Sequence, residues 1–200
     1  MRRVCVILLL ATACSGESAR QAPSAKDLAQ AGVLRLQDLP DGYARKDVPL
    51  PPANAGCLAT SVAAEADGAE YVQGQVAITS TASVATSRAE ALARLAALAK
   101  AQTCLHDALA ARLAPSKLDV TGFTATPAPL DIPDAYAFST DASAVAPGGF
   151  ALTIQGYSLG AVVGSTQITL SVTKSADTGL TLPDAEALLE KAVRRASSVD

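Results

Sequence analysis

Residues 150–173, FALTIQGYSLGAVVGSTQITLSVT, constrain the fold more than any other stretch of the chain. Ile168, Leu170 and Val172 alternate with Thr169, Ser171 and Thr173. Successive side chains of a strand point to opposite faces, so this pattern predicts an extended segment with one face on an apolar core. The glycines of GYSLG, Gly156 and Gly160, are read as flanking a hairpin turn between two strands.

The same five residues also match G-x-S-x-G, the spacing of a serine hydrolase's nucleophile elbow. That device needs a strand, a sharp turn and then a helix, whose amino terminus and backbone build the oxyanion site. Here Val162, Val163, Thr166, Ile168 and Thr169 follow, which is strand composition. The elbow families also place a histidine after the serine, whereas the single histidine, His106, precedes Ser158. Ser158 as a hydrolase nucleophile is therefore the weakest of three functional readings, and no catalytic residue is assigned. Ser171 and Lys174 have S-x-x-K spacing, but on a strand they point to opposite faces.

Other elements follow from their periodicity. Residues 69–80 alternate and predict one strand with a buried face. Ser87 and Glu90 form a capping-box pattern, and Glu90 pairs with Arg94 at i, i+4. Leu92, Leu95, Leu98, Leu105, Leu109 and Leu113 then suggest one long helix ending near Pro115. Cys104 points away from that stripe if the helix is continuous; a break near residues 100–103 is the alternative. His106 lies at the stripe's edge and reads as a structural histidine. KLDVTGFTA and DAYAFST are short strand candidates around a Pro-rich loop, and residues 182–198 form an amphipathic helix with Ala185, Leu188, Leu189, Ala192, Val193 and Ala196 inward. Strands joined by short turns, with two main helices, predict an α+β fold: a twisted antiparallel sheet with the helices packed on it.

The amino terminus, MRRVCVILLLATAC, has a short positive region, an apolar core and small residues before Cys14. It reads as a secretory signal too short to span a bilayer as a mature helix. The small residues before Cys14 resemble a bacterial lipobox, which makes residues 1–13 the signal and Cys14 the lipidated first residue. Residues 14–32 then read as a lipid-anchored flexible tether, its polar stretch spanning roughly 20 Å as a coil, and residues 33–200 as a single extracytoplasmic domain. This places the protein on the outer face of the cell membrane. Loss of Arg2 and Arg3 leaves 14 basic against 19 acidic side chains, a formal charge of about −5. With no basic stripe and few aromatic residues, nucleic acid is excluded as a partner. In an oxidising compartment the two remaining cysteines, Cys57 and Cys104, read as one disulfide. With one histidine in the chain, no metal site or cofactor is expected.

Candidate ligand contacts are few. Asp131 and Asp134 bracket DIPD in a loop, where acids also serve simply as turn formers. Tyr136, Phe138 and Tyr157 are candidates for lining a pocket, or for packing a sheet. The L-x-D-L-P-x-G-Y opening at residues 36–43, the strand after it, a cysteine-bearing helix, several antiparallel strands and a final helix resemble the actinobacterial sensor-type lipoproteins related to the extracellular domain of a PknH-type receptor kinase. The resemblance runs over residues 33–197 and is one of layout. It implies a compact α+β domain with a groove for an unknown ligand. The leading expectation is thus a non-catalytic, membrane-anchored binding or sensor domain for a small molecule or envelope protein. An accessory envelope protein acting by contact is the second reading.

Overall fold

The computed structural model describes residues 22–47, 64–100, 102–175 and 179–200. The signal, Cys14 and Cys57 lie outside these residues. The order of elements is α1 (Ala25–Gly32), β1 (Ala44–Lys46), β2 (Ala64–Gln73), β3 (Val76–Val84), α2 (Arg88–Leu98), α3 (Gln102–Leu113), β4 (Asp119–Ala128), β5 (Ala135–Val145), β6 (Ala151–Val163), β7 (Thr166–Ser175) and α4 (Leu182–Ser197). The seven strands form one antiparallel sheet in the order β1-β2-β3-β7-β6-β5-β4. The α+β class with helices on an antiparallel sheet is as expected from the sequence.

The alternation in β3, β6 and β7 sorts the two faces. Ile78, Leu159, Ala161, Ile168, Leu170 and Val172 point to one face and are at most 2 % exposed. They pack with Leu188, Leu189, Ala192 and Ala196 of α4 and with Leu34 and Leu39 into the main core. Helix α4 starts on a capping box between Thr181 and Asp184 and carries Arg194 and Arg195 in its last turn, as its dipole favours. On the opposite face, α2 covers a smaller cluster of Ala85, Ala91, Leu95, Ala125, Tyr136, Phe138 and Val162.

The structure corrects four readings. Residues 25–32, assigned to the tether, form helix α1. Ser24 and Asp27 cap it reciprocally, and Ala29 and Ala31 are buried. A Cβ on Gly32 would lie 2.8 Å from the Ala82 Cβ, so this helix docks through small side chains. Alanine and glycine make a tight interface without raising hydrophobicity, which is why the segment passed for a spacer. Second, residues 69–80 are two strands: Gln73 pairs with Val76 across a two-residue turn with Gly74 at φ +57°. The turn resets the alternation, so Tyr71 and Ile78 both face the core.

Third, the long helix is broken into α2 and α3, which with α1 and α4 makes four α-helices among the described residues. The break frees the second segment from the first one's register, and Cys104 turns inward to 9 % exposure. Fourth, GYSLG is no hairpin. Residues 151–163 are one continuous strand, and the chain reverses at Gly164–Ser165, with Gly164 at φ +53°. The two glycines of the motif answer to packing. A Cβ on Gly160 would lie 2.5 Å from the Tyr136 ring, and one on Gly156 would strike the Val172 carbonyl oxygen.

Candidate functional site

The second face of the sheet is polar where α2 leaves it uncovered. Register places Thr79 of β3 beside Ser171 of β7 and Ser158 of β6; Thr81 beside Thr169; and Thr173 in one row with Gly156 and Thr140. These seven hydroxyl residues share one face, and every one is half-buried. On the α4 face of β3 and β7, the intervening Ile78, Ser80, Ile168, Leu170 and Val172 are nearly inaccessible. A sheet face lined by hydroxyls that are neither sealed nor fully exposed is a candidate floor for a trough.

Helix α3 forms one side of it. It packs on β4 at one edge of the sheet, yet its Arg112 lies 3.3 Å from Glu70 on β2. Five strand spacings separate β2 from β4, about 24 Å on a flat sheet. The sheet's twist therefore brings α3, packed on the β4 edge, within ion-pair distance of β2. Glu70, 8 % exposed, is also 3.8 Å from Lys46 on β1. Burial lowers the Arg112 guanidinium from its ordinary value while Glu70 pulls it back up, and it stays a cation. A second pair comes from α2, where Arg94, 5 % exposed, donates to Glu90 at 2.6 Å. The Glu90 carboxyl is held below its usual range first by the Thr86 hydroxyl, then by the Thr86 amide and Arg94. The Thr79 hydroxyl oxygen, opposite Glu70 in the β2–β3 register, is buried without a hydrogen-bond partner among the described residues, an expensive state for a polar atom.

The residues singled out in the sequence are not gathered into one place. Tyr136 and Phe138 share the trough's face, with ring centroids 5.7 Å apart, but at 8 % and 2 % exposure they are packed beneath α2. Burial pushes the Tyr136 phenol up to about 12, with Ser158 as a hydrogen-bonding neighbour that opposes the rise. Tyr157 is on the other face, where the Lys174 ammonium stands 5.5 Å from its ring centroid. Asp134 pairs with Arg88 at 2.5 Å at the start of α2, and the Asp131 amide donates to Glu186 on α4. Each acid thus fastens the β4–β5 connection to a different helix. Cys104 is buried at the start of α3; its expected partner Cys57 lies outside the described residues.

The geometry around Ser158 is that of a strand, with Phe138 and Ser171 as its cross-strand neighbours. His106 sits on α3 with its Nδ1 3.0 Å from Asp107 and its ring edge-on to Phe123 at 5.8 Å. None of its hydrogen bonds among the described residues reaches Ser158. Among the described residues no three of His, Cys, Asp and Glu stand together as metal ligands. No helix among them is long and apolar enough to cross a membrane. A separate surface groove of about 370 Å³ lies between the β1 turn and α4, bounded by Tyr43, Gln73, Leu180, Asp184 and Lys191.

Thr79, Thr81, Glu70 and Arg112 were missed in the sequence, which offered Arg94 only as the helical partner of Glu90. The signal was the polar phase of the alternation in β3 and β7, which reads as a solvated face until the helices opposite it are placed.

No protein-family model matches the chain, and no curated protein matches it. Among solved structures it resembles the extracellular domain of PknH from Mycobacterium tuberculosis, with 13 % sequence identity and a TM-score of 0.50. The likeness covers 88 % of this chain and 98 % of that one, and it is a likeness of fold.

Proposed function

We propose that this chain is a membrane-anchored lipoprotein of the actinobacterial sensor type, whose extracytoplasmic domain binds a ligand in the trough and catalyses no reaction. The observation that carries this reading is the floor of seven half-buried hydroxyls on β3, β7, β6 and β5. Polar groups held in a partly enclosed, pre-formed concavity are what a ligand site requires, and a stable core has no use for them. The signal-like leader ending at Cys14 supports export and anchoring, and the fold is one that also serves as an extracellular domain. In that setting Cys57 and Cys104 form a disulfide that ties Cys57 to α3.

Two measurements test it. Palmitate labelling of the expressed chain is expected to vanish in Cys14→Ser, and labelling that survives would remove the lipid anchor. Native mass spectrometry of the protein incubated with envelope extract is expected to show an added mass that Ser171→Ala weakens. A clean apo mass across extracts would count against the trough as a binding site.

A second reading, an accessory envelope protein acting by contact, is favoured by one feature. Phe150 and Leu152, at the β5–β6 hairpin, are 73 % and 42 % exposed. Crosslinking from this hairpin to a second protein, lost in Phe150→Ser, would support it over the first.

A further inference from the structure

We propose that the groove between α4 and the β1 turn is a peptide-binding site, which takes a short zwitterionic peptide lying along α4 with its carboxylate at Lys191 and its ammonium at Asp184. The groove is separate from the hydroxyl-lined face of the sheet, and the proposal does not depend on that face being a site. Three observations lead there.

The first is the spacing of two charges. Asp184, Ala187, Leu188 and Lys191 all line the groove, and at i, i+3, i+4 and i+7 they share one stripe of the helix. A rise of about 1.5 Å per residue sets Asp184 and Lys191 about 10 Å apart along the axis. Three residues of extended peptide, at about 3.3 Å each, cover the same distance, so the two ends of a tripeptide can meet both charges. A free amino acid carries its charges on one carbon and reaches one end only. The volume of about 370 Å³ is at the small end of ligand pockets, where a ligand of this length belongs.

The second is that neither charge is neutralised by a neighbour. On the same helix Arg194 pairs with Glu190 and Arg195 with Asp38, but Lys191 has no carboxylate partner among the described residues. Its ammonium donates to the Asp38 carbonyl at 2.5 Å, which holds it in place and leaves two N–H groups for a ligand. Asp184 has no cation partner among the described residues. The Thr181 hydroxyl and amide donate to one of its oxygens at 2.6 and 2.9 Å and keep the carboxyl below its usual range, the hydroxyl foremost. The other oxygen is open to an ammonium. A fatty acid would satisfy Lys191 but lay its tail against Asp184, and a diamine makes the opposite mismatch.

The third is the rest of the lining. Pro40, Tyr43, Leu180 and Leu188 give it apolar surface, against which a middle side chain can pack. The Tyr43 hydroxyl makes no hydrogen bond to the described residues. Burial, and then the Asp184 carboxylate, raise this phenol above its ordinary value, so it stays a donor. Gln73 donates through its amide nitrogen to the Asp41 carbonyl at 3.2 Å, which leaves its oxygen to accept. One donor and one acceptor on the wall suit the C=O and N–H of a peptide, which a polymethylene chain lacks.

The test uses the full chain in a non-ionic detergent. Affinities are measured by saturation-transfer NMR for the tripeptide Ala-Leu-Ala, its N-acetyl and C-amide forms, leucine and an ω-amino-octanoate. The variants are Lys191→Met, which keeps the aliphatic stem, and Asp184→Asn, which keeps an acceptor for Thr181, with unfolding midpoints checked for both. Ser171→Ala, on the sheet, is the control. The free tripeptide is expected to bind, about tenfold more weakly in each groove variant and unchanged in Ser171→Ala. Acetylation should weaken binding to the wild type and cancel the effect of Asp184→Asn, and amidation should do the same for Lys191→Met, a coupling that a purely structural role would not produce. Tripeptide binding that neither groove variant weakens, blocked peptides that bind as tightly as the free one, or no transfer to the tripeptide overturn the proposal. Leucine or the ω-amino-octanoate binding as tightly as the tripeptide overturns the ligand class. Binding lost in Ser171→Ala alone moves the site to the sheet face and overturns the groove.

Discussion

Arg195 holds the amino-terminal segment onto the last helix, and its removal should unfold more of the protein than one side chain suggests. Its Nε donates to the Ala31 carbonyl at 2.9 Å, one terminal nitrogen to the Val33 carbonyl at 2.6 Å, and the other to both Asp38 carboxylate oxygens at 3.1 and 2.9 Å. The two side chains are 16 % and 11 % exposed. In Arg195→Ala the Asp38 carboxylate keeps the Arg35 amide at 2.7 Å but loses its cation, and the two carbonyls lose their donor. Breaking a buried pair from one side costs about 3–5 kcal/mol. Lys191, which donates to the Asp38 carbonyl at 2.5 Å, is near enough to offset part of this, so the lower end, about 3 kcal/mol, is expected. In urea unfolding followed by circular dichroism, with a slope near 2 kcal/mol/M, the midpoint should fall by about 1.5 M. Arg195→Lys should recover little, since an ammonium cannot span four acceptors arranged for a planar fork. The neighbouring Arg194 is the control: 67 % exposed and paired only with Glu190 at 3.2 Å, it should cost under about 0.5 kcal/mol on conversion to alanine. Equal, small losses for the two variants would refute the reasoning and detach α1 from the cooperative unit.

Three further outcomes are expected. Gly160→Ala should destabilise by about 1–3 kcal/mol through overpacking, because the new methyl meets the buried Tyr136 ring at 2.5 Å; pairing it with Tyr136→Leu should return part of the loss in a double-mutant cycle. Burial raises the Tyr136 phenol to about 12, so the folded state keeps a proton that the unfolded chain releases near pH 10. Stability should therefore be intact below about pH 10 and fall as pH rises towards 12, and urea midpoints across that range should decline less in Tyr136→Phe. Ser158 should resist labelling by a fluorophosphonate probe, and the wild type and Ser158→Ala should behave alike on an ester panel; a label mapped to Ser158 would revive the hydrolase reading.

The trough also explains why a G-x-S-x-G sequence stands in a sheet. Gly160 admits the Tyr136 ring and Gly156 admits the Val172 carbonyl, leaving Ser158 as the β6 hydroxyl on the trough floor. The spacing of the three residues follows the two-residue period of a strand, with all three on one face. A motif defined by spacing alone does not distinguish this from a turn.

Period and capping carry through any context, and on their own they determined much of this protein. The alternation of Ile168, Leu170 and Val172 with threonines and serine dictated an antiparallel sheet with one apolar face. Ser87 marked where a helix begins, because an unpaired amide needs an acceptor wherever the helix sits. What lies above each face is decided by elements distant in the chain, and sequence pattern does not record it. Helix α1 was hidden because alanine and glycine bind by close approach, which hydrophobicity does not measure. The trough was hidden because a polar strand face looks the same whether it meets bulk water or Arg112 from a helix more than thirty residues away from Glu70. Only the curl of the sheet, and the ion pair that closes across it, turned a row of ordinary hydroxyls into a candidate site.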